Sequence, residues 1–61
     1  MFRVLIERDG QTYYQKDVAT EAYAVYEARE LAGVGNGVMV APGADLARYE
    51  TPTGVIRAVT R

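Results

Sequence analysis

Cysteine and histidine are both missing from this chain. Without cysteine there can be no disulfide and no thiolate metal site. Without histidine no imidazole can act as a zinc ligand or as a general base near neutral pH. Serine and tryptophan are absent as well. No apolar stretch is long enough to cross a bilayer. The N-terminal residues Met1-Phe2-Arg3-Val4 read as strand, not as a charged segment followed by a long apolar one, so no signal peptide and a cytoplasmic location are expected. An excess of one charge is also lacking. Seven basic residues face eight acidic ones, for a net charge of −1, which gives no global field for DNA and no acidic tail. What remains is a 61-residue chain, 49% hydrophobic and 25% charged, the composition of one small folded domain spanning residues 1–61. A domain of this size is marginally stable, and oligomerisation is one of the few remedies open to a chain without cysteine.

The hydropathy pattern gives the elements. Phe2, Val4 and Ile6 alternate with Arg3, Leu5 and Glu7, the period of a strand with one buried face. Asp9-Gly10 separates this run from a second one with Thr12, Tyr13 and Tyr14. An Asp-Gly step between β-prone runs predicts a tight hairpin, with strands at 2–8 and 11–18. Thr20 is a good N-cap and Glu21 complements the helix dipole, so an alanine-rich helix is expected over 21–32. Gly33 supplies a left-handed C′ residue to end it. At 100° per residue Ala24, Val25, Ala28, Leu31 and Ala32 share the face that meets the sheet, while Tyr23, Glu27 and Glu30 point away. A rotation that buries Tyr26 beside Val25 and exposes Leu31 fits the pattern too. Val38 to Ala41 reads as a short strand stopped by Pro42-Gly43, and 55–60 as a last, β-branched strand. Residues 46–51 fit either a strand or a helical turn capped by Asp45. The fold expected is α+β: a small antiparallel sheet with one helix packed on one face, in the order ββαβ followed by one or two further strands. Val4, Ile6, Val25, Ala28 and Leu31, with Val38 and Val40 opposite, are the expected core.

The residues that could carry chemistry are few. The threonines, the tyrosines and Lys16 have no imidazole or thiol to activate them. Two carboxylate pairs, Glu27 with Glu30 and Glu7 with Asp9, could in principle do acid–base work, but both fall where solvated surface charge is expected. The glycines of 33–37 follow a helix and precede a strand, the reverse of a phosphate-binding loop, so a helix stop and turn is the better reading. The expectation is a protein that is not an enzyme and needs no cofactor and no metal.

Tyrosine is the residue in excess, with five copies in 61 residues. Tyr13 and Tyr14, adjacent in a strand, should point to opposite faces, one filling the core and the other exposed. Tyrosine and arginine are enriched in interface hot spots because they combine large contact area with a polar handle. Arg3, Tyr14, Tyr23 and Arg29 are therefore the expected partner-binding residues, with Glu27 and Glu30 at the rim. The sheet face away from the helix, carrying Leu5 and Arg3, has nothing in the chain to cover it. An open face of that kind also suits base stacking in single-stranded nucleic acid, although the missing positive charge disfavours it.

The Phe2-Arg3-Val4-Leu5-Ile6 and Asp9-Gly10 hairpin, running through Val18-Ala19-Thr20-Glu21-Ala22 into an alanine-rich helix, resembles small phage and prophage anti-host proteins of the anti-CRISPR type over roughly residues 2–41. The resemblance carries over no functional residue. It implies a protein-binding inhibitor that occludes a surface of a host nucleoprotein complex. At net −1 the chain departs from the strongly acidic DNA mimics among such inhibitors. The alternatives are a small nucleic-acid-binding module using the open sheet face and a self-assembling structural subunit. A protein partner is thus expected, a homodimer is possible, and no membrane is involved.

Overall fold

A computed structural model describes all residues, 1–61. Five strands and one helix follow in the order β1 (Phe2–Arg8), β2 (Gln11–Val18), α1 (Glu21–Val34), β3 (Val38–Met39), β4 (Ala47–Thr51) and β5 (Gly54–Thr60). The strands form one sheet in the spatial order β2-β1-β5-β4-β3, antiparallel at every pairing. The single helix packs on one face of that sheet, over β1, β5 and β4. The α+β class and the ββαβ order with two further strands are as the sequence indicates.

The first hairpin turns at Asp9 and Gly10, both with positive φ, 54° and 79°. That is the two-residue turn whose twist matches the strands, and glycine and aspartate are the residues that accept it. The helix begins as expected: the Thr20 hydroxyl accepts the Tyr23 amide at 3.1 Å. Its end is two residues later than the sequence suggests. Gly33 stays helical and Gly35 is the cap. The left-handed residue is Asn36, with φ 59°. The Asn36 amide donates to the Gly33 carbonyl at 3.4 Å and the Gly37 amide to the Ala32 carbonyl at 2.6 Å. This is a Schellman motif with asparagine in the place usually held by glycine. Gly37 is required for a different reason, since a Cβ there would lie 2.9 Å from the Ala32 Cβ.

The core is a layer of small residues. Val4, Ala24, Ala28 and Ala58 are fully buried, and Ala32, Ile56, Tyr49 and Val18 nearly so. Alanines on both α1 and β5 let the helix backbone come close to the sheet, which is how so short a chain closes its interior. Ile6 and Leu31 are half-buried against this cluster, and Val25 is half-buried. Tyr26 is 49% exposed, which settles the helix rotation in favour of Leu31. Two expected core residues are not core. Val38 is 66% exposed and Val40 only half-buried, because they lie beside Glu50 and Arg48 while Met39 lies beside Tyr49, so alternation turns both valines to the face away from α1. Their place is taken by β4: residues 47–51 are strand, and Tyr49 is the tyrosine that enters the core.

Candidate functional site

The two sheet faces differ in what they expose. Alternation puts Arg3, Leu5 and Glu7 of β1 on the face away from α1, beside Asp17, Gln15, Arg57 and Val59 of the neighbouring strands. Leu5 is not exposed there as the sequence suggests; it is only 8% accessible. Its neighbours across the strands are Gln15 and Arg57, whose long stems exclude water while their heads stay wet.

Every arginine of this face is held by a carboxylate. Arg57 grips Asp45 with two bonds, Nε to Oδ2 at 2.8 Å and Nη2 to Oδ1 at 2.9 Å, and reaches Glu7 through Nη1 at 3.3 Å. Arg48 adds a contact to Asp45 at 3.4 Å. The second network joins Arg3 and Arg61 to Asp17 at 2.7 and 2.6 Å. Hydrogen bonds from Arg57 hold the Asp45 carboxyl below the usual carboxylate range, and those from Arg3 do the same for Asp17. The partnered guanidiniums of Arg57 and Arg3 are correspondingly raised, each chiefly by the hydrogen bond to its aspartate. Four arginines are thus held by three carboxylates, so each guanidinium already has an anionic partner and little cationic surface is left for phosphate.

The helix side collects the exposed aromatic and apolar residues. The pairing of β1 with β2 slips between Ile6 and Glu7, so that Ile6 faces Tyr14, Glu7 faces Thr12, and Tyr13 is the extra residue of a bulge. The bulge undoes the alternation expected of adjacent residues. Tyr14 lies opposite Ile6 on the helix side, and Tyr13 lines a groove there with Ile6, Leu31 and Val34. Neither ring fills the core; Tyr13 is 57% and Tyr14 37% exposed. Tyr23 and Tyr26 stack at 6.0 Å between ring centroids with their planes 25° apart. Lys16, on the same side of β2 as Tyr14, sits 5.6 Å above the Tyr23 ring and donates to Glu27 at 2.7 Å. That hydrogen bond raises the lysine's affinity for its proton.

Beyond this cluster, the groove of about 240 Å³ by Tyr13 is bounded by the helix end at Val34 and by Thr51 and Thr53 of the β4–β5 turn. Arg8 lies 4.3 Å over the Tyr13 ring, fixed by its bonds to the Thr53 carbonyl at 2.7 Å and to the Tyr13 hydroxyl at 3.1 Å. On the opposite flank, a cleft of about 140 Å³ runs between Val25 of α1 and Met39, Leu46 and Tyr49.

Of the four residues expected to bind a partner, Tyr14 and Tyr23 are brought together around Lys16. Arg3 is on the other face, tied to Asp17. Arg29 is exposed and makes no ion pair, but the helical wheel sets it about 120° from Tyr23, on the flank beside Val25. The four do not form one patch. Tyr13, Tyr26 and Val34 also belong to the exposed set, outside those four. The bulge that redirects Tyr13 leaves no mark in the hydropathy pattern, whereas the outward position of Tyr26 was readable from the wheel. Of the carboxylate pairs, Glu27 is bound to Lys16 and Glu7 to Arg57, while Glu30 and Asp9 stand alone. No three acidic residues converge, and no helix is long and apolar enough to cross a membrane. No protein-family model matches the chain, and no curated protein or solved structure matches it.

Proposed function

We propose that this chain is a non-catalytic protein-binding module that meets its partner through the helix side of the sheet. The observation that carries the reading is the sorting of exposed side chains. Tyr13, Tyr14, Tyr23, Tyr26, Val34 and Met39, all at least 37% exposed, lie on the helix side, while the opposite face exposes Val38 at its edge and is otherwise laced with paired charges. Apolar and aromatic area gathered on one side is what marks an interaction surface. Tyrosines supply such area at low entropic cost. The centre of the surface is the group of Tyr14, Tyr23 and Tyr26 around Lys16. The inhibitor role, in which this surface occludes part of a host nucleoprotein complex, rests on the resemblance of residues 2–41 to phage anti-host proteins. A nucleic-acid partner on the open face is the weaker reading, because Arg3, Arg48, Arg57 and Arg61 are already tied to Asp17, Asp45 and Glu7 there.

The test is capture on the immobilised protein with and without nuclease. Tyr14→Ala combined with Tyr23→Ala should lose the captured protein while remaining folded, and Arg3→Ala should keep it. Retention by the double tyrosine variant would overturn the assignment of this surface, and loss of the captured protein on nuclease treatment would overturn the protein-binding reading itself.

A further inference from the structure

The sheet has two edges, and the chain treats them differently. The β2 edge is long but guarded: it carries the bulge at Tyr13 and the charges of Lys16 and Asp17, devices that discourage strand addition. The β3 edge is short but carries neither device. Val38-Met39 and the following Val40-Ala41 contain no charge, no bulge and no proline before Pro42. Val38 is 66% and Met39 69% exposed, and α1 covers β1, β5 and β4 but not β3.

From these observations we infer that the chain forms a two-fold symmetric dimer, in which β3 pairs antiparallel with β3 of a second copy, centred on Met39. The hydrogen-bonding direction allows it. The Val40 amide donates inward to the Arg48 carbonyl at 3.1 Å. Amides alternate in direction along an antiparallel strand, so the Met39 amide and carbonyl point out from the sheet. Two Met39 residues facing one another across a two-fold axis exchange both bonds.

The sequence fits the same axis. Val38-Met39-Val40 reads identically in both directions, so each valine meets a valine and no charge meets its like. Val38 pairs with Glu50 and Val40 with Arg48, so each row across the axis runs from Glu50 through Val38 and the partner's Val40 to the partner's Arg48, and no like charges face one another. On the helix side Met39 borders the cleft with Val25, Leu46 and Tyr49, and the flexible thioether of the partner's Met39 can fill that space. The contact is short, so the dimer is reversible, in the class of weak interfaces. This association uses a different surface from the tyrosine cluster and does not depend on the partner proposed above.

Sedimentation velocity between about 10 µM and about 1 mM, the range suited to a weak complex, should show the mass doubling as concentration rises. Met39→Lys should remain monomeric throughout with an unchanged far-UV spectrum. The Tyr14→Ala, Tyr23→Ala double variant should dimerise like the parent, which separates failure of this inference from failure of the partner-binding one. In an isotope-filtered experiment at the high concentration, the Val38 Hα should show a contact to the partner's Val40 Hα, a readout that stands even if Met39→Lys does not fold. A parent that stays monomeric over the whole range would overturn the inference. So would a dimer that survives Met39→Lys, or one that dissociates on Lys16→Ala at the other edge.

Discussion

The two faces of the sheet are stabilised by different physics. Under α1 the contacts are dry and set by size: Ala24 and Ala28 of the helix and Val4 and Ala58 of the sheet have no accessible surface. On the other face the contacts are wet and set by charge, with Arg57, Asp45 and Glu7 in one network and Arg3, Asp17 and Arg61 in another. One face cannot change volume without moving an element. The other can lose a partner and be re-solvated. A small chain with a thin core therefore covers its second face with ion pairs over Leu5, where a larger protein would add another layer.

The largest expected effect tests the dry face. Ala28→Leu should push α1 off the sheet and cost about 1–3 kcal/mol in chemical denaturation, the range for overpacking a closed core. An unchanged midpoint would mean that the helix does not sit as closely as the alanines imply. Next comes the wet face. Asp45→Asn removes the main carboxylate of Arg57 but leaves it Glu7, and should cost about 1–2 kcal/mol, less than Ala28→Leu. A larger loss than Ala28→Leu would erase the distinction between the faces.

The pH dependence follows from the same networks. Asp45 and Asp17 bind protons less readily folded than unfolded, because of their arginine partners. Their contribution is therefore present above the unfolded carboxylate value, about 3.9, and is lost as pH falls through the lower folded values. Thermal melts from pH 6 to pH 2 should show stability dropping below about pH 4, with a shallower drop in Asp45→Asn. Equal acid slopes in parent and variant would remove Asp45 from the account. The raised affinities of Lys16, Arg3 and Arg57 act in the opposite sense, lost only as pH rises through values above about 10, so neutral pH leaves them intact. The smallest effect is expected at the tyrosines. Tyr23→Ala and Tyr26→Ala should change stability by no more than roughly 0.5 kcal/mol, as for exposed positions generally. A loss well beyond that would make them structural cover, not contact surface.

The elements were largely legible because their signals are local. The Asp9-Gly10 turn, the alternation of β1 and the Thr20 cap are each contained in a few residues, and the strands and the helix start fall where those residues place them. Where the structure departs from the local pattern, the deciding contact is distant in sequence. Gly33 looked like the helix stop, but Gly37 must pass close to Ala32 and Thr51, which moves the left-handed residue to Asn36. Val38 looked like core because it is apolar. Its exposure follows from the register with β4, which sets Val38 beside Glu50 on the face away from α1 and seats Tyr49 inside. The alternation of Ala47, Tyr49 and Thr51 with Arg48 and Glu50 was a readable signal for β4. The slip between Ile6 and Glu7 was not, and it decides where both Tyr13 and Tyr14 face.

The pairing of β1 with β5 has a kinetic consequence. It joins Phe2 to Thr60 and brings the Arg61 amide to the Met1 carbonyl at 3.1 Å, whereas the hairpins β1–β2 and β4–β5 join near neighbours. Either hairpin can close quickly by itself, but the central seam must gather almost the whole chain into a loop before any contact rewards it. The seam also carries Val4, Ile56 and Ala58, the sheet's share of the dry layer. Folding should therefore wait on this closure. Substitutions in the seam should slow the refolding arm of a chevron plot, while those in the Arg57–Asp45 network should act mainly on the rate of unfolding.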